Sequence, residues 1–170
     1  MNKTETKLFM ELLSEIPDYR RGNAVRHNLN EVLAITILGL LCNANTLTGL
    51  ERFGKTHEQE LREYFELPYG IPSHDTFWDI LGKIDYAAVE QVFRKWLMEI
   101  RGLHNIWNSL EDNLHARVEH IAVVINLFRK LILQLLKHDK TLSGSMAGKR
   151  EMCAWRFDFA LNLLRHADFS

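Results

Sequence analysis

A chain of 170 residues that is 46% hydrophobic and 25% charged carries enough apolar material for one compact domain or two very small ones, which excludes disorder along its whole length. A formal net charge of -1 and a pI near 6.7 exclude a globally basic nucleic-acid binder. The charge is uneven, however. Residues 1–100 are acidic on balance, whereas Arg129, Lys130, Lys137, Lys140, Lys149, Arg150 and Arg156 face only Asp139 and Glu151 between positions 129 and 156, so phosphate contacts are expected first in the tail.

Helical spacing dominates from the N-terminus, and no stretch alternates apolar and polar residues long enough for a sheet, so the fold class is all-α, a small helical bundle. Leu8, Phe9, Leu12, Leu13 and Ile16 recur at three- and four-residue steps and predict a first helix over about Thr4 to Ile16. Pro17 and Gly22 end it in a loop that carries Arg20, Arg21 and Arg26 with Asn23 and His27. These arginines suit phosphate contacts, and an ordinary solvated loop accounts for them equally well. Asn28 or Asn30 then caps a helix whose run Val32 to Leu41 is apolar nearly all round and therefore central. Leu47, Leu50, Phe53 and, beyond a break at Gly54, Leu61, Tyr64 and Phe65 predict one or two amphipathic helices.

After the rigid turn Leu67 to Pro72, Ser73 is placed to cap a short helix from His74 to about Ile84, with Asp75 in its favourable first turn. If this is the second helix of a helix-turn-helix-like unit, it presents His74, Thr76 and Asp79 or Lys83 to DNA, although Asp75 and Asp79 oppose a phosphate-hugging surface. Ser73, His74 and Asp75 are consecutive, point in different directions and cannot form a hydrolytic relay. A longer helix through Val89, Phe93 and Trp96 ends near Gly102. The polar and aromatic stretch Gly102 to Asn113 is a candidate junction, dividing the chain into 1–101, 102–117 and 118–170. An apolar helix from Val118 to Lys137, a flexible loop from Leu142 to Gly148 and a last helix from Cys153 to Leu164 complete the chain.

Cys42 and Cys153 are expected as free core thiols in a reducing cytoplasm, since two cysteines make no disulfide framework. No apolar run is long enough and uncharged enough to span a membrane, and Met1 to Lys7 lacks the apolar stretch of a signal peptide. His104, His115 and His120 with Glu111, Asp112 and Glu119 gather ligand types, but without metal-motif spacing, so no metal is assigned. Trp78, Trp96, Trp107 and Trp155 fall mostly on apolar helical faces and are expected in the core.

Several segments carry a family resemblance. Ile16-Pro17-Asp18-Tyr19-Arg20, Arg26-His27-Asn28-Leu29, Phe53-Gly54-Lys55-Thr56-His57 and above all Gly70-Ile71-Pro72-Ser73-His74-Asp75-Thr76-Phe77 resemble the helical N-terminal region of the H-repeat-associated transposases, DDE-type enzymes of insertion sequences. Ile84-Asp85 and Phe93-Arg94-Lys95-Trp96 continue the pattern, and Phe128 to Leu164, including Leu135-Leu136-Lys137-His138-Asp139-Lys140-Thr141, resembles the family's C-terminal tail. The resemblance implies a ribonuclease H-like catalytic domain between those regions, using a divalent metal such as magnesium. Its Ile-Asp-Gly-Lys and Thr-Asp-Ala segments, which carry the catalytic aspartates, do not occur in this chain, and Glu99 matches the third carboxylate too poorly to be assigned. A chain without those segments is expected to be no enzyme and to need no cofactor. What the resemblance then implies is an internally deleted transposase, cytoplasmic and bacterial, whose partners are transposon-end DNA, an intact transposase or a second copy. A helical oligomerisation module without DNA, or a decayed remnant, is the alternative.

Overall fold

The segment Leu29–Leu41 (α2) has apolar residues on every side, and the fold is built around it. All of its residues but Asn30 are buried. Asn28 is its N-cap, its side-chain oxygen accepting from the Asn30 amide at 2.9 Å. The computed structural model describes residues 3–22, 25–99, 120–140 and 143–165. Among them the chain forms, besides α2, the helices α1 (Lys3–Ser14), α3 (Leu47–Thr56), α4 (Glu58–Leu61), α5 (His74–Lys83), α6 (Tyr86–Glu99), α7 (His120–His138), α8 (Met146–Trp155) and α9 (Phe157–Arg165), and no strand.

α7 is the second axis, because Val124, Leu127, Phe128, Leu131, Ile132, Leu135 and Leu136 repeat at helical spacing and bury one face. It packs against α2, α5, α6 and α8, while α2 also meets α1 and α3. One continuous apolar cluster joins Leu13, Leu38, Leu50, Phe77, Phe93, Phe128, Cys153 and Leu161. Phe93 meets Phe128 edge-on, with ring centroids 5.6 Å apart and planes at 84°, an arrangement that the ring quadrupoles favour. N- and C-terminal helices therefore share one core, as distinct from two adjacent ones.

The tail also completes α2 electrostatically. Arg150 donates to the Leu40 carbonyl at 2.9 Å, so its guanidinium sits at the negative end of α2, where carbonyls lack helical partners, while Arg129 donates to the Asn45 carbonyl at 3.1 Å in the loop that follows. Lys149 is buried with Asp139, and its ammonium donates to the Leu136 carbonyl at 2.9 Å, the Asp139 carbonyl at 2.6 Å and the Asp139 carboxylate at 3.2 Å. It closes the C-terminal end of α7 from inside.

Four expectations are corrected. Gly54 does not interrupt a helix: α3 runs through it to Thr56, and an added Cβ there would lie 2.5 Å from Ile71 Cγ2, so the glycine admits a close approach of the 71–73 turn. Helix α8 begins inside the loop expected up to Gly148, because Ser145 accepts from the Gly148 amide and caps Met146 onward. The last helix is two, α8 and α9, parted at the extended residue Arg156. Of the tryptophans, Trp96 is core, but Trp78 is 56% and Trp155 87% exposed.

Nor does α5 follow another helix across a short turn. α4 ends twelve residues before it, where a helix-turn-helix takes three or four; the short connection, Ile84-Asp85, lies instead between α5 and α6. His120 donates through Nε2 to the Ile84 carbonyl at 2.7 Å, a packing role in place of a ligand role. The other members of the suggested ligand set, together with the junction from Gly102 to Asn113 and Trp107, lie outside the described residues.

Candidate nucleic-acid interface

The loop after α1 is folded by its own charges. Arg20 grips the Asp18 carboxylate with Nε at 2.8 Å and NH2 at 2.7 Å, and reaches across the loop with NH1 to the His27 carbonyl at 2.9 Å. This bidentate pair is the strong geometry for a guanidinium, and the hydrogen bond from Arg20 holds the Asp18 carboxyl below its ordinary range. Arg20 is thus committed to shaping the loop. Tyr19 fastens it to α5 by donating its hydroxyl to the Asp79 carbonyl at 3.2 Å. His27, pushed below its usual pKa by burial and therefore neutral at pH 7, sits edge-on to Tyr69 with ring centroids 6.5 Å apart. Arg21 and Arg26 remain exposed on this frame, and among the described residues no hydrogen bond or ion pair engages them.

The facing wall is the N-terminal half of α5. Ser73 caps it, its hydroxyl accepting from the Thr76 amide at 3.3 Å and meeting Thr76 Oγ1 at 3.1 Å. Glu51 of α3 anchors the helix start, accepting from the His74 amide at 2.9 Å, contacting His74 Nδ1 at 3.1 Å and pairing with Lys55 at 2.6 Å. These contacts, with Lys55 foremost, pull the Glu51 carboxyl down to about 2. The approach to α5 is fixed by Glu31, a buried carboxylate in the first turn of α2. It accepts from the amides of Glu66 at 3.0 Å and Leu67 at 3.2 Å, where Leu67 adopts a left-handed φ of 43°.

Between the walls lies a cleft of about 590 Å³, within the range of small-ligand pockets. It brings Arg20, Arg21 and Arg26 together with Thr76, and sets Asp75 and Asp79 opposite them. Asp79 is paired with Lys83, while Asp75 is 87% exposed with His74 Nε2 at 3.3 Å. His74 therefore lies beside the cleft and is engaged with Glu51 and Asp75.

The tail cations expected at DNA are scattered. Lys137 and Lys140 are exposed, Lys149 is inside the fold, and Arg150 is bound to the end of α2. None of them lines the cleft. Glu51, which positions α5, escaped the sequence reading. Its signal was the four-residue spacing to Lys55 on one helix. The long-range partner at His74 has no such local signature.

The sequence of this all-α chain has counterparts among known proteins. The family described as DDE_Tnp_1-associated matches residues 10–97, over half of the chain, and this chain belongs to that transposase-associated family. It is 36% identical over 148 residues to "H repeat-associated putative transposase YbfD" of Escherichia coli (strain K12), covering 80% of this chain and 58% of the relative. Against "Inactive transposase YbfQ" of the same organism it is 39% identical over 82 residues, covering 47% of this chain and 98% of the relative. The 80% coverage carries the likeness past residue 97 into the C-terminal part. The chain spans from 39% to 58% of the length of the relatives matched over that coverage. No solved structure matches. The H-repeat transposase resemblance of Gly70 to Phe77 thus holds at the level of family. Among the described residues no helix is long and apolar enough to cross a membrane.

Proposed function

We propose that this chain is a non-catalytic part of a DDE-type insertion-sequence transposase that associates with transposon-end DNA, with Arg21 and Arg26 as its phosphate contacts. The observation that supports this reading is their exposure, without a described partner, on a loop that Arg20 and Tyr19 hold in shape beside α5. Lys137 and Lys140 extend the contact from a separate face. Two-metal phosphoryl transfer needs carboxylates that hold ions roughly 3.5–4 Å apart. Among the described residues no group of three or more His, Cys, Asp or Glu converges, and the family's aspartate segments are absent from the sequence. The described residues do not gather the ligands of a catalytic metal, and no cleavage step is assigned. Such a protein acts in the cytoplasm as a competitor of the intact enzyme.

A second reading, association with an intact transposase or a second copy without DNA, is favoured by the outer face of α8, where Met152 is 38% and Trp155 87% exposed. Fluorescence anisotropy with the DNA flanking the gene, against scrambled DNA at low and physiological salt, tests the first. Binding should favour the flanking DNA and weaken with salt, and the Arg21→Ala/Arg26→Ala variant should reduce the log-log salt slope by about 2. No DNA binding, with light scattering showing a defined oligomer, supports the second reading. Aggregation without either would mark a decayed remnant. Strand cleavage or joining by the pure protein with magnesium or manganese would overturn the non-catalytic assignment.

A further inference from the structure

The cleft between the arginine loop and α5 has a composition that a simple phosphate site does not explain. Arg21 and Arg26 supply cationic donors, but Asp75 and Asp79 line the same cavity, as does Thr76. Asp79 is balanced by Lys83 and its backbone carbonyl is held by Tyr19. Asp75 is different: its carboxylate is 87% exposed, and its one described contact is His74 Nε2 at 3.3 Å. An ionised carboxylate only accepts hydrogen bonds and has room for about four. A duplex laid across this wall would bring two rows of phosphates towards Asp75 and Asp79, which Coulomb repulsion opposes. A ligand satisfying both walls carries an anion for the arginines and N–H donors for Asp75.

An unpaired nucleotide with an exocyclic amine meets both demands. Carboxylate side chains accept from the cytosine N4 amine, and an extruded base is read on its Watson–Crick edge inside a concave pocket. The cleft of about 590 Å³ is large enough for one nucleotide. Tyr69, 64% exposed and edge-on to the cleft residue His27, adds an aromatic face at the rim on which a neighbouring base can stack. We infer that this cleft takes an unpaired, amine-bearing base of single-stranded or locally opened DNA, with Arg21 and Arg26 on its phosphates and Asp75 accepting from its exocyclic amine. The inference rests on the DNA reading above and narrows it from a duplex surface to a single-nucleotide pocket.

The test is anisotropy of the full chain with labelled oligodeoxycytidine, oligothymidine of equal length and a mixed-sequence duplex, at neutral pH and low salt. Thymine has no exocyclic amine. Oligodeoxycytidine should bind about tenfold or more tighter than oligothymidine, in line with the discrimination of one good base contact. Asp75→Ala should bring the two together while the protein still melts cooperatively, since the side chain is on the surface and only its charge at the start of α5 is lost. Arg26→Ala should weaken both. Equal binding of the two oligomers, tighter binding of both on Asp75→Ala, or preference for the duplex would overturn the base pocket while leaving DNA association standing. Failure of all three DNAs to bind would overturn both.

Discussion

Replacing Lys149 by methionine keeps much of the side-chain length and removes an ammonium that donates to the Leu136 carbonyl, the Asp139 carbonyl and the Asp139 carboxylate at 2.9, 2.6 and 3.2 Å. The side chains of Lys149 and Asp139 are 8% and 4% exposed, so solvent cannot replace what is lost. Removing one partner of such a pair takes the cation away from a buried carboxylate, a loss that costs about 3–5 kcal/mol. For a chain of this size each kcal/mol lowers Tm by about 2–4 °C, so the midpoint should fall by roughly 6–20 °C. Circular dichroism on heating reads it, and a double-mutant cycle sharpens it. Asp139→Asn retains an acceptor oxygen and should cost less. In the Lys149→Met/Asp139→Asn variant no buried charge is stranded, so the losses should be less than additive by about 0.5–3 kcal/mol. Because Lys149 faces inward, Lys149→Met, where folded, should leave the salt slope of DNA binding unchanged. An unaltered Tm, or losses that simply add, refutes this reasoning.

Gly54→Ala should destabilise by about 1–3 kcal/mol through overpacking and disturb the cleft, because its Cβ meets the methyl of a β-branched side chain, Ile71, which lines that cavity; urea denaturation and DNA titration check it. Glu51 ties α3 to the start of α5 with a folded pKa near 2, below its ordinary 4.5. Its contribution to stability is therefore complete above about pH 4.5 and lost as pH falls towards 2, and Glu51→Gln should flatten the acid limb of a Tm-against-pH curve. Burial pushes the Cys42 thiol up to about 12 and the Cys153 thiol to about 11, with Cys42 Sγ donating to the Cys153 carbonyl at 3.2 Å. Alkylation of the native protein at pH 8 should be slow and should accelerate on unfolding; equal rates in both states contradict the packing of α8 on α2.

What was legible in the sequence was what is local. An all-round apolar run can only be central, and α2 is. Ser73 before His74-Asp75-Thr76 reads as a cap, and it caps. Local rules failed where a partner distant in sequence decides the outcome. Gly54 looks like a breaker until Ile71, seventeen positions on, is seen to need the space. Trp78 and Trp155 fit apolar stripes by residue type, yet the neighbouring positions of α5 and α8 are the ones that face the core. Among the cations between 129 and 156, charge alone could not show that Lys149 points inward, Arg150 serves the end of α2 and Arg129 the loop after it, while Lys137 and Lys140 face water. The arginine loop was recognisable as a basic group. That Arg20 shapes it for Arg21 and Arg26 depends on Asp18 and His27 closing a ring.

The guanidinium that closes the carbonyl end of α2 is more than a hundred positions downstream of it. A ribosome working at about 5–20 residues per second emits Arg150 roughly 5–20 seconds after Leu41. Until then the most apolar of the described helices waits, first without α7 to cover it and then without Arg150 to finish it. Synthesis order thus imposes a vulnerable window on this protein, in which chaperone capture or premature self-association competes with the arrival of the last three helices.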